Sequence, residues 1–154
     1  SRGAGSSNRA VAVKIVLLKP GDEELLRRAE VIFNPSSISQ GRAAMLLREP
    51  SYVMIAALGD GDIVRGRIYA NVLHRFEARD LLLYEVDVAE EHQRKGVGRA
   101  MIDFLSQLSA ERGYREMWVL TDLDNEAGNA LYKSAGGHLE NSPANMYVFP
   151  IAKR

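Results

Sequence analysis

One short turn in the middle of the chain, at residues 93–98, joins a predicted buried strand to a predicted amphipathic helix. The strand is the mostly apolar run at 81–88, and the helix at 97–112 carries apolar residues three and four positions apart until Gly113 ends it. A further strand is predicted at 117–121. Two strands joined through a helix form a crossover, in which the strands run parallel and the helix covers the sheet. This stretch therefore restricts the chain to the α/β fold class.

The other elements are predicted from hydrophobic period and from turn residues. Gly59-Asp60-Gly61-Asp62 separates two apolar runs and is typical of a hairpin. The predicted order, β-α-α-β-β-β-α-β-α-β-β, gives a mixed sheet with helices on both faces. Besides the elements above, strands are predicted at 11–18, 52–58, 63–73 and on both sides of Ser142-Pro143, and helices from an Asp22 cap to the stop at Asn34-Pro35, at 39–48 and at 126–135.

The length of 154 residues fits one domain, which we assign to residues 11–154. Residues 1–10 begin with a Gly/Ser-rich stretch and are expected to be a disordered tail or a vector-derived remnant.

Composition excludes several classes of function. With no cysteine, the chain has no disulfide framework, no thiolate metal site and no cysteine nucleophile. Its 20 basic and 20 acidic residues balance, so we expect neither nucleic acid nor a membrane surface as a partner. No apolar run approaches the roughly 18 residues needed to span a bilayer, and the expected location is the cytoplasm. The three histidines are isolated, and no metal site is expected.

The turn at 93–98 has the chemistry of an anion site. Gly96 and Gly98 remove side chains where the backbone can approach a ligand, and the N–H groups of the first helical turn lie at the positive end of the helix dipole. Arg94, Lys95 and Arg99 add positive charge. A pyrophosphate fits such a site. The turn lacks the Gly-Lys-Ser/Thr ending of a P-loop and the third glycine of a Rossmann turn, which excludes both.

In its full form the turn resembles a family signature. Gln93 to Gly98 matches the Q/R-x-x-G-x-G/A pattern of the GNAT superfamily of N-acetyltransferases, and Asn125 to Tyr132 resembles the N-x-x-A-x-x-L-Y segment that follows the fifth strand in that family. The resemblance extends over residues 17–151. It implies a mostly antiparallel mixed sheet and the use of acetyl-coenzyme A as cosubstrate.

The resemblance also implies roles for individual residues. Tyr132 would act as general acid toward the departing thiolate. The main chain of Val86 and Val88 would bind the pantetheine arm of the coenzyme, with Asn125 and Asn129 beside it. The pyrophosphate would be held by the backbone amides of Gln93, Arg94, Lys95, Gly96, Val97, Gly98 and Arg99.

Two acids on the strand at 81–88 are candidates for the acceptor site. Strict alternation places Leu83, Glu85 and Asp87 on one face, with Tyr84, Val86 and Val88 on the other. A solvated sheet face is the ordinary explanation for such acids. In a central strand, however, unpaired buried carboxylates cost several kcal/mol, roughly, unless that face opens to water or to a cation. Glu85 is therefore the first candidate for the general base and Asp87 the second.

A second acidic group, Asp122, Asp124 and Glu126, precedes the last predicted helix. Acids at a helix N-terminus are favoured by capping and by the dipole, so one of the three is expected to be a cap. Three exceed what capping requires, and we expect Asp122 and Asp124 to bind the substrate together with Glu85.

A closer resemblance concerns the acceptor. The runs at 72–77, 83–85 and 121–124 are similar to aminoglycoside 3-N-acetyltransferases of the gentamicin-resistance type, although Asp87 and the C-terminal tail depart from that group. This resemblance implies acetylation of the 3-amino group of an aminoglycoside by direct attack in a ternary complex, in a homodimeric enzyme. The alternatives are a GNAT enzyme for another amine (a polyamine, a protein N-terminus or an amino acid) and a non-catalytic acyl-coenzyme A-binding module.

Overall fold

The computed structural model describes residues 12–34, 36–140 and 144–152. Within these segments the chain forms one sheet with strand order β1-β2-β3-β4-β5, together with four α-helices. In chain order the elements are β1 (Lys14–Leu17), α1 (Glu23–Phe33), α2 (Gln40–Arg48), β2 (Tyr52–Leu58), β3 (Val64–His74), β4 (Arg79–Val88), α3 (Val97–Arg112), β5 (Met117–Val119) and α4 (Glu126–Ser134).

The strand directions confirm the predicted α/β class. Strands β1 to β4 are antiparallel neighbours, and β4 pairs with β5 in parallel after the crossover through α3. Ile55, Ile68 and Leu105 belong to the core between the sheet and α3, which is also where α4 packs. The opposite face packs against α1 and α2 around Leu26 and Met54. The sheet is thus mixed, mostly antiparallel, and covered by helices on both faces.

A β-bulge in β4 changes which side chains share a face. Tyr69 of β3 pairs with Glu85, but the next residue, Ala70, pairs with Leu83, so that Tyr84 has no partner in β3. Leu83 consequently lies in the α3 core, as Val86 does, and Tyr84 lies beside Tyr69 with ring centroids 5.1 Å apart. The predictions that Leu83 accompanies Glu85 and that Tyr84 accompanies Val86 were wrong, because one extra residue reverses the alternation.

The pairing between β4 and β5 is short. It joins Leu81, Leu82 and Leu83 to Met117, Trp118 and Val119. Beyond Leu83, the half of β4 that carries Glu85 and Asp87 pairs with β3 alone within the described segments. A gap therefore opens between β4 and β5 beside these two acids.

The predicted C-terminal strands do not form in the structure. Residues 137–140 and 144–152 contain no strand, and the predicted turn at Ser142-Pro143 lies outside the described residues, as do residues 1–10. A strand needs a paired neighbour, and β5 has no strand on its outer side within the described part of the chain. Five large apolar side chains of this segment are exposed: Met146, Tyr147, Val148, Phe149 and Ile151. No helix of the described segments is long and apolar enough to cross a membrane.

Candidate active site

A buried arginine, which the sequence analysis did not single out, lies at the centre of the site. Arg67 of β3 is only 2% exposed, and three carboxylates surround its guanidinium. Glu30 of α1 lies 3.3 Å from Nε, Glu85 lies 2.7 Å from Nη1, and Asp87 lies 3.3 Å from Nη2. The structure thus brings the two predicted acids of β4 together and adds a third acid from α1.

The register of the sheet and the packing of α1 explain this cluster. Arg67 and Asp87 are direct cross-strand partners, and Glu85 pairs with Tyr69, the next residue of β3 on the same face. Phe33, one helical turn after Glu30, places its ring centroid 5.4 Å from the Arg67 guanidinium carbon. The sequence contained two signals of this ion pair: a cation within a buried strand and an acid on the apolar stripe of α1. Each charge is costly to bury without a partner, so the two could have been expected to pair.

The cluster carries excess negative charge, since three carboxylates share one guanidinium. Burial raises the pKa of Asp87, and Arg67 opposes this rise while Glu85 adds to it. Burial likewise raises the pKa of Glu30, again with Arg67 as the opposing influence. The side chains of Glu85 and Asp87 remain 44% and 42% exposed, so the excess charge faces solvent. A cationic ligand can reach both.

Three tyrosine rings extend the site away from Arg67. Tyr52 and Tyr69 have ring centroids 4.8 Å apart, and Tyr69 lies 5.1 Å from Tyr84. Burial, followed by the charge of Glu30, raises the pKa of Tyr52, so its hydroxyl stays neutral at ordinary pH. The exposed member is Tyr84, the residue that the bulge turns to this side. An aromatic surface next to carboxylates suits an organic cation.

Tyr132, the predicted general acid, lies on α4 and is partly buried against the α3 core. Burial raises the pKa of its hydroxyl, and the negative charge of Asp87 raises it further. The two side chains therefore interact electrostatically across the gap between β4 and β5. The Tyr132 hydroxyl holds its proton throughout the neutral range, as a general acid must.

The predicted anion site has the expected backbone form. Gly96 caps α3 with φ of 84°, and Arg94 has φ of 60°, a conformation that residues other than glycine seldom adopt. No described residue accepts a hydrogen bond from the main-chain N–H groups of residues 94–99. Such an arrangement of free N–H groups at a helix N-terminus forms an anion-binding concavity.

The side chains of this turn mostly bind the turn itself. The Gln93 side-chain amide donates to the Val88 carbonyl at 3.2 Å, and Lys95 Nζ donates to the Glu91 carbonyl at 2.9 Å. Arg99 pairs with Asp103 at 3.2 Å on the exposed side of α3. Val97 is buried in the core, and Val86 and Val88 are partly buried against it. Most polar side chains of this turn are therefore engaged by the protein itself.

The two predicted asparagines organise the loop before α4. Asn125 caps the helix by accepting from the Gly128 N–H at 3.0 Å, and its Nδ2 donates to Thr121 Oγ1 at 2.8 Å. Asn129 Nδ2 donates to the carbonyls of Asn125, at 2.8 Å, and Asp122, at 3.2 Å. The expectation that an acid caps α4 was wrong, because Asn125 occupies that position.

The acids of this loop remain apart from the Arg67 cluster. Asp122 and Asp124 are exposed, and neither forms an ion pair with a described residue. Across the described segments, no group of three or more His, Cys, Asp or Glu residues could hold a metal ion.

Comparison with known proteins identifies a family. Residues 22–136 match the model of the acetyltransferase (GNAT) family. This match includes β2 to β5, the turn at 93–98 and α4.

Sequence relatives match only part of the chain. The ribosomal protein bS18-alanine N-acetyltransferase of Escherichia coli K12 is 28% identical over 82 residues, which are 53% of this chain and 55% of the relative. The chain thus spans about half the length of the curated relatives it matches.

Solved structures match nearly the whole fold. An aminoglycoside acetyltransferase from an uncultured soil metagenomic sample superposes with a TM-score of 0.83 at 22% identity, covering 90% of this chain and 97% of that one. The same protein has been crystallised with sisomicin. A second aminoglycoside acetyltransferase, also from an uncultured soil sample, has a TM-score of 0.78 at 25% identity, covering 92% of this chain and all of the other.

Proposed function

The chain belongs to the acetyltransferase (GNAT) family, and on that basis we propose that it acetylates an amino group of a polycationic acceptor of the aminoglycoside class. The observation that carries the proposal is the cluster of Glu30, Glu85 and Asp87 around the single cation Arg67, in which Asp87 also raises the pKa of Tyr132. Excess negative charge on an accessible surface attracts a ligand that bears several ammonium groups.

Acetyl-coenzyme A is the cosubstrate in this proposal, and the residues present fit it. The free N–H groups of residues 94–99 suit its pyrophosphate, with Gly96 supplying the backbone turn. The edge of β4 along Val86 and Val88, left without a strand neighbour by the gap, offers main-chain groups to the pantetheine arm. When bound, the cosubstrate supplies an activated acetyl thioester.

We reverse the order of the sequence-based prediction and assign the base role to Asp87, with Glu85 as the second candidate. Alkyl ammonium groups lose their proton only near pH 10, roughly, so a carboxylate must accept it before the amine can attack. Asp87 interacts with Tyr132 across the gap, and its raised pKa brings it nearer to neutral pH. Glu85 then serves as an anchor for a neighbouring ammonium group. Asp122 and Asp124 offer further carboxylates from the loop before α4.

Tyr132 completes the proton balance. As the amine nitrogen forms its bond to the acetyl carbon and the carbon–sulfur bond breaks, the Tyr132 hydroxyl donates its proton to the thiolate. The proton that the nitrogen loses as it becomes an amide returns to the Tyr132 phenolate, and Asp87 releases the first proton to solvent. Asn125 and Asn129 fix the loop that leads into α4 and so determine where Tyr132 lies. No covalent bond to the protein is required, because holding both reactants together supplies much of the rate.

A second candidate acceptor is a protein N-terminal alanine. The 28% identity to the ribosomal protein bS18-alanine N-acetyltransferase favours it. A peptide carries one reacting ammonium group, whereas the cluster at Arg67 has two carboxylates more than cations. Charge therefore favours the polycation over the peptide.

Homodimer formation is also proposed, with the segment 144–152 at the contact. Its exposed apolar side chains, among them Tyr147 and Phe149, form the kind of surface that a second copy can bury. Light scattering coupled to gel filtration tests this directly. A monomer at all concentrations would contradict it.

The decisive experiment for the acceptor is thiol release from acetyl-coenzyme A with sisomicin, spermidine and an N-terminal alanine peptide offered separately. We expect kcat/KM to be highest for sisomicin. NMR of the product then identifies the acetylated position, expected from the sequence resemblance to be the 3-amino group. Turnover with the peptide alone would replace the polycation by the N-terminal acceptor.

A further inference from the structure

Arg67 is unusual because it is a fully buried cation that lies in none of the segments expected to bind the cosubstrate. Its ion pairs reach one carboxylate from α1, at 3.3 Å, and two from β4, at 2.7 and 3.3 Å. The Nε and Nη1 atoms nevertheless make no angularly favourable hydrogen bond. Arg67 therefore acts on these acids mainly through its charge.

The groups that determine the local field come from every element around Arg67. The charged and titratable side chains facing it or its acids are Glu30 from α1, Tyr52 from β2, Tyr69 from β3, Glu85 and Asp87 from β4, and Tyr132 from α4. Only Arg67 among them is cationic. Among the acids, Glu85 is the one whose negative charge disfavours the ionised form of Asp87.

We propose that Arg67 is a positioning residue that holds Glu85 and Asp87 side by side at the gap and keeps the proposed base in its ionised, proton-accepting form. The inference rests on the proposed function for its kinetic consequences. Its electrostatic part can be measured without any substrate. Arg67 itself need not touch the acceptor, since its side chain is buried.

The surroundings of Asp87 explain why Arg67 is suited to keep it ionised. Burial and the neighbouring Glu85 both raise the pKa of Asp87, and Arg67 is the influence that lowers it. Without Arg67, the pKa of Asp87 would rise further, and the carboxylate would be ionised, and able to accept a proton from the amine, over a narrower range of pH. Arginine keeps its charge at every relevant pH, so this influence does not titrate away.

The test uses Arg67→Met, which removes the charge at similar volume, and Arg67→Lys, which keeps it. The pH profile of kcat/KM for the best acceptor is the first readout. We expect the acidic limb to move to higher pH by about 1 to 3 units in Arg67→Met, the usual influence of a close opposite charge. In Arg67→Lys the limb should stay near its wild-type position even where kcat falls.

A second readout needs no activity. Carbon-13 NMR of labelled aspartate side chains follows the ionisation of Asp87 directly, with Asp87→Asn identifying its signal. The same upward shift is expected in Arg67→Met. If the wild-type protein acetylated none of the acceptors, the proposed function would fail while this titration still decided the role of Arg67.

Arg115→Met is the matched control. Arg115 and Arg75 pair with the buried Asp80 at the far end of β4, 3.4 and 3.1 Å away, about 20 Å from Asp87 along the strand. This variant also disturbs a buried ionic cluster but should leave the pH profile unchanged. The proposal would be overturned if both methionine variants lost the same stability while the pH profile of kcat/KM and the Asp87 titration stayed at their wild-type positions. Arg67 would then have only a structural role.

Should Arg67→Met fail to fold, Arg67→Gln carries the test. Glutamine also removes the charge but keeps a polar side chain beside the carboxylates. A displacement of the Asp87 titration to higher pH supports the proposal. An unchanged titration in Arg67→Gln would contradict it, because it would mean that the charge of Arg67 does not control the ionisation of Asp87.

Discussion

Gly98 of α3 lies directly against Leu131 of α4: a Cβ atom built on Gly98 would stand 2.8 Å from Leu131 Cδ2. Leu131 immediately precedes Tyr132, so this contact links the turn at 93–98 to the proposed general acid. The sequence suggested that Gly98 allows the backbone to approach a ligand. In the structure it is a buried helix–helix contact, which gives this glycine a packing role.

Gly98→Ala should therefore push α4 away from α3 and displace Tyr132. We expect a loss of about 1 to 3 kcal/mol in the free energy of unfolding, as for other overpacked sites, together with a lower kcat. Denaturant unfolding and steady-state kinetics measure both. Gly41→Ala is the matched control, because nothing lies within 4 Å of its added Cβ in α2 and stability should not fall. Equal effects of the two substitutions would disprove the packing role of Gly98.

Tyr132→Phe removes the hydroxyl while preserving the ring. We expect kcat to fall by about 10²-fold or more, with little change in acetyl-coenzyme A affinity, because the hydroxyl acts only on the departing thiolate. The pKa of Tyr132 is raised above its ordinary value of 10.0, so its ionisation should cause no loss of wild-type activity below that pH. Steady-state kinetics measures kcat, and titration with acetyl-coenzyme A measures the affinity for the cosubstrate. Unchanged turnover would exclude Tyr132 as the acid.

The two acids of β4 should differ in their effects on pH dependence. Asp87→Asn is expected to lower kcat/KM by about 10²-fold and to abolish the acidic limb, since it removes the proposed base. Glu85→Gln should shift the acidic limb to lower pH, because the charge of Glu85 raises the pKa of Asp87. The measurement is kcat/KM from pH 5 to 9, roughly, in both variants. A limb that disappears in Glu85→Gln and survives in Asp87→Asn would transfer the base role to Glu85.

Stability should also depend on pH through Glu30. Its pKa is raised in the folded protein, so the folded state binds the proton more tightly and loses stability as pH rises through that pKa. Glu30→Gln cannot ionise, so its melting temperature relative to wild type should rise as pH rises from 4.5, the ordinary pKa of glutamate, through the raised pKa of Glu30. Thermal unfolding across this range provides the check.

Glu49→Gln provides the opposite case. The Ser51 N–H and hydroxyl donate to the Glu49 carboxylate at 3.2 and 2.8 Å and lower its pKa, so its stabilising effect is present above 4.5 and lost on acidification. The melting temperature of this variant relative to wild type should fall as pH rises. If the melting temperatures of Glu30→Gln and Glu49→Gln, each relative to wild type, changed with pH in the same direction, burial would not be the cause that sets the pKa of Glu30.

Local patterns predicted most of the fold. The hairpin at residues 59–62 and the start of α4 after Asn125 depend on neighbouring residues, and both formed where expected. The partnership of Arg67 with Glu30 depends on two elements distant in sequence, and its only signals were a cation in a strand and an acid on an apolar helix stripe. The C-terminal strands were predicted on both sides of the Ser142-Pro143 turn, but a strand also requires a neighbour with which to pair.

Because Tyr84 is the extra residue of the bulge, β4 tolerates a change of chain length at this one point. Deletion of Tyr84 would join Leu83 to Glu85 while Leu83 still faces Ala70 and Glu85 still faces Tyr69, so the core face and the carboxylate face would both be kept. The change would remove only the ring that lies beside Tyr69. Loss or gain of this one residue is therefore a route by which related chains could alter the aromatic part of the site while keeping the fold and the cluster at Arg67.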